Sequence, residues 1–134
     1  MSAEPFFDTN VILYLLSADR AKADRAEALL AGGGTISVQV LNEFAAVASR
    51  KLKMTFAEIA DVLTTVRAVC RVVPVTEEMH GLALRLAGRH QFAFHDAVIV
   101  AASLLEGCGI LLTEDLQDGQ KVEGQLTIRN PFQP

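Results

Sequence analysis

Short apolar runs alternate with stretches of helical period along this chain. Pro5-Phe6-Phe7, closed by Asp8, reads as a buried first strand. Thr9 or Asn10 then caps a helix that runs to Leu16. Ala23, Ala26, Leu29 and Leu30 recur at helical spacing and predict a helix over 22–30, stopped by Gly32-Gly33-Gly34. Thr35-Ile36-Ser37 is a short strand. Val40, Leu41, Phe44, Val47 and Ala48 form one apolar stripe and predict a helix over 38–53. Thr55 opens the next helix, with Glu58 three residues on completing a capping box. Ile59, Val62, Leu63, Val66 and Val69 carry its apolar face. Residues 71–75 form a strand with Pro74 near its end, and Thr76 caps a helix to about Gly88. The segment 96–106 is helical and apolar nearly all round, so it is expected to be buried. Residues 109–113 are another apolar strand, and 126–128 a last edge strand.

The order is β-α-α-β-α-α-β-α-α-β-β. Strands alternating with helices argue an α/β fold around a parallel sheet. Such sheets carry their sites at the carboxyl ends of the strands, near the topological switch point. Asp8 ends the first strand, and the strand at 111–112 runs into Thr113-Glu114-Asp115. The strand at 35–37 feeds the helix that bears Glu43. With no repeat, linker or low-complexity tract, residues 1–134 read as a single domain.

Composition narrows the class. Hydrophobic residues make up 51% and charged residues 21%, which excludes a disordered chain. Sixteen acids against twelve basic residues give a net charge of −4, which excludes a globally basic nucleic-acid binder. Two cysteines, Cys70 and Cys108, without CxxC or clustered histidines, argue against a disulfide scaffold or a structural zinc site. Free thiols fit a reducing compartment, so the cytoplasm is expected. The apolar run at 11–16 follows Glu4 and Asp8 and no Lys or Arg, unlike a secretory leader. The apolar stretch 97–105 is far shorter than the about 20 residues of a membrane span, so no membrane association is expected.

Most of the acids read as surface charge. Asp19, Asp24 and Glu27 alternate with Arg20, Lys22 and Arg25, as on a solvated face. Glu58, Asp61, Glu77 and Glu78 are read as first-turn residues favoured by the helix dipole. Four acids resist this reading. Asp8 follows two phenylalanines, Glu43 shares a helix face with Val40 and Val47, Asp96 opens the most apolar helix, and Asp115 stands just outside a strand. Buried carboxylates are costly unless paired or metal-bound, and no Lys or Arg neighbours these four in sequence. If the sheet gathers them, their repulsion calls for a cation, and hard oxygen ligands favour Mg²⁺ or Mn²⁺. The cluster Arg50-Lys51-x-Lys53 is read as compensating a helix C-terminus in preference to contacting a polyanion.

Phe7-Asp8-Thr9-Asn10, Asn42-Glu43, His95-Asp96-Ala97 and Thr113-Glu114-Asp115, in this order and spacing, resemble the PIN-domain nucleases, especially the VapC-like ribonuclease toxins of toxin–antitoxin pairs. The resemblance implies a three-layer α/β/α sandwich with a central, mostly parallel sheet of four to five short strands. It implies that Asp8, Glu43, Asp96 and Asp115 are the catalytic, metal-binding carboxylates. Asn10 and Thr113 would support them, Asp118 would assist a second metal, and His95 would be mainly structural. The implied cofactor is Mg²⁺, with Mn²⁺ as a substitute. The implied reaction is hydrolysis of RNA phosphodiesters to leave a 5′-phosphate and a 3′-hydroxyl. The implied partners are RNA, a small antitoxin whose C-terminal segment crosses the groove, and a second copy of the chain in a homodimer.

Two other readings compete. A receiver-like phosphoacceptor domain also places acids at parallel strand ends, but wants paired acids at the first strand and a lysine after the last; here Asp8 is followed by Thr9-Asn10, and Arg129 is the late cation. A non-catalytic RNA- or protein-binding relative would have lost its acids, whereas all four stand here.

Overall fold

The computed structural model describes residues 4–133; the outermost positions of the expected domain, 1–3 and 134, lie outside the described residues. The first strand, β1 (Phe6–Phe7), is two fully buried phenylalanines. It is followed by α1 (Thr9–Leu13), a 3-10 turn at Tyr14–Leu16, α2 (Arg20–Ala31), β2 (Gly34–Ser37), α3 (Val38–Arg50) and α4 (Phe56–Val69). Then come β3 (Cys70–Val73), α5 (Glu77–His90), α6 (Phe94–Leu105), β4 (Ile110–Leu112), β5 (Lys121–Val122) and β6 (Leu126–Arg129).

The six strands form one sheet in the order β3-β2-β1-β4-β6-β5. All pairs are parallel except β5 with β6. The mostly parallel sheet therefore stands as expected, with one strand beyond the four to five anticipated. The chain moves outward from β1 through β2 to β3, then returns across β1 to reach β4. Right-handed crossovers put the helices of the outward leg on one face and α5 and α6 on the other. Inter-helix contacts follow this division: α1, α3 and α4 pack in sequence, and α5 packs on α6. The switch point is the β1/β4 boundary, where Phe6 pairs with Leu111 and Phe7 with Leu112.

Several boundaries differ from the sequence reading, each for a local reason. The cap of α1 is Asp8, not Thr9 or Asn10; its carboxylate accepts from Thr9 N at 2.7 Å. Asp19, read as a solvated acid, caps α2 by accepting from Lys22 N. The α3 helix stops at Arg50 because Lys53 adopts a left-handed φ of 57° and the chain turns, Met54 N bonding back to Ala48 O. Asp61 lies beyond the first turn of α4, whereas the Thr55–Glu58 capping box is present with both bonds. The α6 helix starts at Phe94, two residues earlier than expected, so Asp96 sits within its first turn. It is the buried helix anticipated, with every residue from Ala97 to Ser103 buried. The β6 strand lies inside the sheet, because the unanticipated β5 covers its outer edge. Among the described residues no helix is long and apolar enough to cross a membrane.

Gly34 shows how tightly β2 lies on β1. A Cβ there would collide with the Phe7 ring and stand 2.7 Å from Pro5 O. Neither neighbour is the free end of a flexible chain. Gly34→Ala is expected to cost about 1–3 kcal/mol through overpacking, lowering the melting temperature by several degrees. A calorimetric melt unchanged from wild type would refute this account of the β1/β2 contact.

Candidate active site

The switch point brings the acids of distant segments together. Asp8 follows β1 and Asp115 follows β4 by three residues, both at the carboxyl end of the sheet. Glu43 reaches the same place from the second turn of α3, and Asp96 from the first turn of α6. All four line one cavity of about 330 Å³, together with Thr9, Asn10 and His95. Among the described residues, Arg50 is the one lysine or arginine in its lining.

A hydrogen-bond network fixes these carboxylates. Asp8 is 5% exposed and Thr113 fully buried. Thr113 Oγ1 donates to Asp8 Oδ2 at 2.8 Å and accepts from Asn10 Nδ2 at 3.2 Å and Asp115 N at 3.1 Å. One proton and two lone pairs are thereby used, so the hydroxyl is saturated. Asn10 Nδ2 also donates to Asp115 Oδ2 at 3.1 Å, and its Oδ1 accepts from Glu114 N. Thr9 Oγ1 donates to Glu43 Oε2 at 2.8 Å. Gln39 Nε2 donates to Glu43 Oε1 and to His95 O, both at 3.0 Å, tying α3 to the start of α6. His95 Nε2 lies 3.3 Å from Asp96 Oδ1. Tyr14 OH donates to Glu114 Oε1 at 2.7 Å, anchoring the loop that bears Asp115.

The electrostatics show that the acids feel one another. Burial pushes the Asp8 carboxyl up to about 6; the negative charges of Asp115 and Glu43 add to this, against hydrogen bonds from Thr113 and Thr9. Asp96 is raised as well, first by burial, with Asp115 and Glu43 adding to the shift and His95 opposing it. A cation placed among the four would reverse both effects.

The donor set fits a hard divalent cation: four carboxylates, with neutral hydroxyls and amides around them and no cysteine. As the side chains stand, no three Asp, Glu, His or Cys among the described residues are drawn close enough to hold one ion. Three of the acids are instead satisfied by protein donors: Asp8 by Thr9 and Thr113, Glu43 by Thr9 and Gln39, and Asp115 by Asn10.

The four predicted acids, with Asn10 and Thr113, are therefore gathered in or directly against one cavity. Asp118 is not among them. Its carboxylate is exposed and accepts from Asn130 N at 2.8 Å, holding the loop to the end of β6. Sequence does not single out Thr9 and Gln39 as site residues, and it weighs Arg50 as a polyanion contact only below its helix-end reading. Gln39 and Arg50 lie four residues before and seven after Glu43, which places them on its helix face. The other early cations serve elsewhere: Lys22 sits 4.9 Å from the centre of the Tyr14 ring, and Arg25 donates to Pro131 O.

Comparison with known proteins agrees with this arrangement. The family described as PIN domain matches residues 6–120. No curated protein matches the chain. Among solved structures, a toxin–antitoxin complex from Klebsiella pneumoniae superposes with a TM-score of 0.74 at 18% identity, covering 98% of this chain and 100% of that one. DNA-bound VapBC from Salmonella typhimurium gives 0.71 at 16% identity over 97% and 99%. VapC20 of Mycobacterium tuberculosis, a toxin that cleaves the sarcin–ricin loop, gives 0.66 at 25% identity over 81% and 87%.

Proposed function

We propose that this chain, which belongs to the PIN-domain family, is a metal-dependent endoribonuclease and the toxin of a toxin–antitoxin pair. The observation that carries the reading is the convergence of Asp8, Glu43, Asp96 and Asp115 on one cavity at the β1/β4 switch point. Two similar structures support it: one is a toxin–antitoxin complex, the other a toxin that cleaves the sarcin–ricin loop. Residues 1–134 form one nuclease domain in this reading.

Asp8, Glu43, Asp96 and Asp115 would hold Mg²⁺, or Mn²⁺ in its place. Bound there, a divalent ion supplies Lewis acidity that lowers the pKa of water and neutralises charge on the phosphoryl oxygens. The remaining work falls to the chain. Thr113 and Thr9 N hold Asp8, Asn10 holds Asp115, and Thr9 with Gln39 hold Glu43, so the carboxylates are oriented before RNA arrives. Among the described residues Asp96 has no side-chain bond beyond His95, so of the four it is the carboxylate left free to accept the attacking water's proton. Neither serine nor cysteine lines the cavity, so this reading uses no covalent nucleophile of either type.

The partners in this reading are an antitoxin protein that covers the acid cavity and a second copy of the chain. Two free buried cysteines fit the cytoplasm as the compartment. Purified protein is expected to cut structured RNA in Mg²⁺ or Mn²⁺, to stop on chelation and to resume on re-addition. Expression without a partner gene is expected to arrest growth. RNA left intact by well-folded protein across these ions would refute the ribonuclease reading. Harmless expression of protein that cuts RNA in vitro would refute the toxin role alone.

A further inference from the structure

The acid cavity has a cationic exit. Glu43, Ala46, Val47 and Arg50 are spaced three, four and seven residues apart on α3, and all four line the cavity. Arg50 is about 10 Å along the helix from Glu43. Helical side chains lean toward the helix N-terminus, so the Arg50 side chain reaches back over the cavity from its rim. Despite four carboxylates in the same cavity, Arg50 takes part in none of the ion pairs or side-chain hydrogen bonds of the described residues. It stands beyond salt-bridge distance of the acids.

A second groove of about 480 Å³ adjoins the cavity, sharing Asn10, Leu13 and Val47 with it; its one acid, Glu114, is held by Tyr14 OH. Lys51, the residue after Arg50, lines that groove beside the exposed Leu52. The two cavities and the two cations thus follow one path over the C-terminal end of α3. The Arg50 side chain makes no hydrogen bond to the carbonyls at the end of α3, where backbone groups close on Val47 O and Ala48 O, so its guanidinium is free for a phosphate on that path.

We propose that Arg50 binds an RNA phosphate flanking the scissile one, so that the strand leaves the acid cavity over the end of α3 toward Lys51. The inference rests on the ribonuclease reading for what lies in the acid cavity. An arginine offers a planar, always-charged fork suited to a phosphate. It would give the acidic centre the positive edge that a polyanion needs.

The test compares wild type, Arg50→Ala and Arg50→Lys. Binding of a short fluorescent single-stranded RNA is read by anisotropy in Ca²⁺ over a range of salt, and cleavage is read separately in Mg²⁺. Arg50→Ala is expected to weaken binding about 5–20-fold at low salt and to flatten the slope of log K against log salt by about 0.7, the loss of one single-strand phosphate contact. Arg50→Lys keeps the slope, because the charge remains. In cleavage, KM rises in Arg50→Ala while kcat holds, and the melting shift on adding Mg²⁺ is unchanged. An unchanged slope, or a lower melting temperature with unaltered RNA binding, overturns the proposal and returns Arg50 to the helix end. A fall in kcat at constant KM overturns it too. Binding is scored without turnover, so the slope decides the Arg50 question even if wild type cuts no RNA, and cleavage alone decides the ribonuclease reading.

Discussion

Asp96→Asn is expected to lower RNA cleavage by about 10²–10³-fold, equivalent to about 3–4 kcal/mol of transition-state stabilisation, with the melting temperature retained or raised. Two features make it the cleanest removal of a site carboxylate. Asp96 is half-buried in the first turn of α6, and its side-chain contact is the exposed His95 imidazole at 3.3 Å. No buried donor loses its partner when the charge goes. Burial and the neighbouring acids hold the charged form at a disadvantage, so neutralising it relieves the fold at neutral pH. The helix dipole works the other way, since an acid in a first turn is favoured. Activity and stability should therefore separate. Cleavage by purified Asp96→Asn at wild-type rate would remove Asp96 from the site. Asp8→Asn should be as inactive but less clean, because its new amide would face Thr113 Oγ1. That hydroxyl already accepts from Asn10 and Asp115 and has no lone pair left.

The acids were legible because each broke a local rule. Asp8 and Asp115 interrupt apolar strand ends, Glu43 interrupts an apolar stripe, and Asp96 begins a helix that is otherwise buried. Such exceptions mark a site more reliably than they mark element boundaries. Asp96 was placed at the helix start because α6 has no capping side chain: Ala93 stands at its N-cap, leaving no start signal to read. The β5 strand escaped because it is only Lys121–Val122, too short for a period, and its turn depends on Glu123 and Gly124 both adopting positive φ. Asp118 misled because nearness in sequence to Asp115 says nothing about direction. The loop turns it to Asn130 N, which only the pairing of β4 with β6 decides. Thr9 and Gln39 are silent for a related reason. A threonine after a strand and a glutamine on a helix are ordinary until the fold sets Glu43 between them. The dipole reading of Arg50 came from its place in the last turn, which is correct. What sequence could not show is that this turn borders the acid cavity.

Without divalent ions, the protein is expected to lose stability as pH rises from about 4 to above 6, and Asp8 is the main cause. Its carboxyl titrates at 3.8 in the unfolded chain and at about 6 in the folded one. Below 3.8 the group is protonated in both states and costs nothing. Between the two values the folded protein keeps a proton that the unfolded chain has released, so folding is progressively disfavoured as pH rises. Above about 6 the full penalty applies, of order 3 kcal/mol from the two pKa values. The raised carboxyl of Asp96 acts in the same direction. On the acid side the order reverses, because Glu58 and Glu123 are held low by Thr55 and by Arg89 with His90. Their contribution is present above the unfolded carboxylate range and fades as pH falls. The metal-free protein should thus be most stable on the acid side of neutrality. Urea unfolding in chelator at several pH values checks this against Asp8→Asn. The new amide's contact with Thr113 does not titrate, so it shifts the variant's whole curve and leaves the slope to report the lost carboxylate. Wild type should lose stability more steeply than the variant between about pH 4 and 6, and Mg²⁺ should restore wild type more than the variant, more strongly at pH 7.5 than at pH 5. Parallel curves for the two proteins would mean that the Asp8 charge is not what strains the fold, and that the acids are already neutralised by the protein itself.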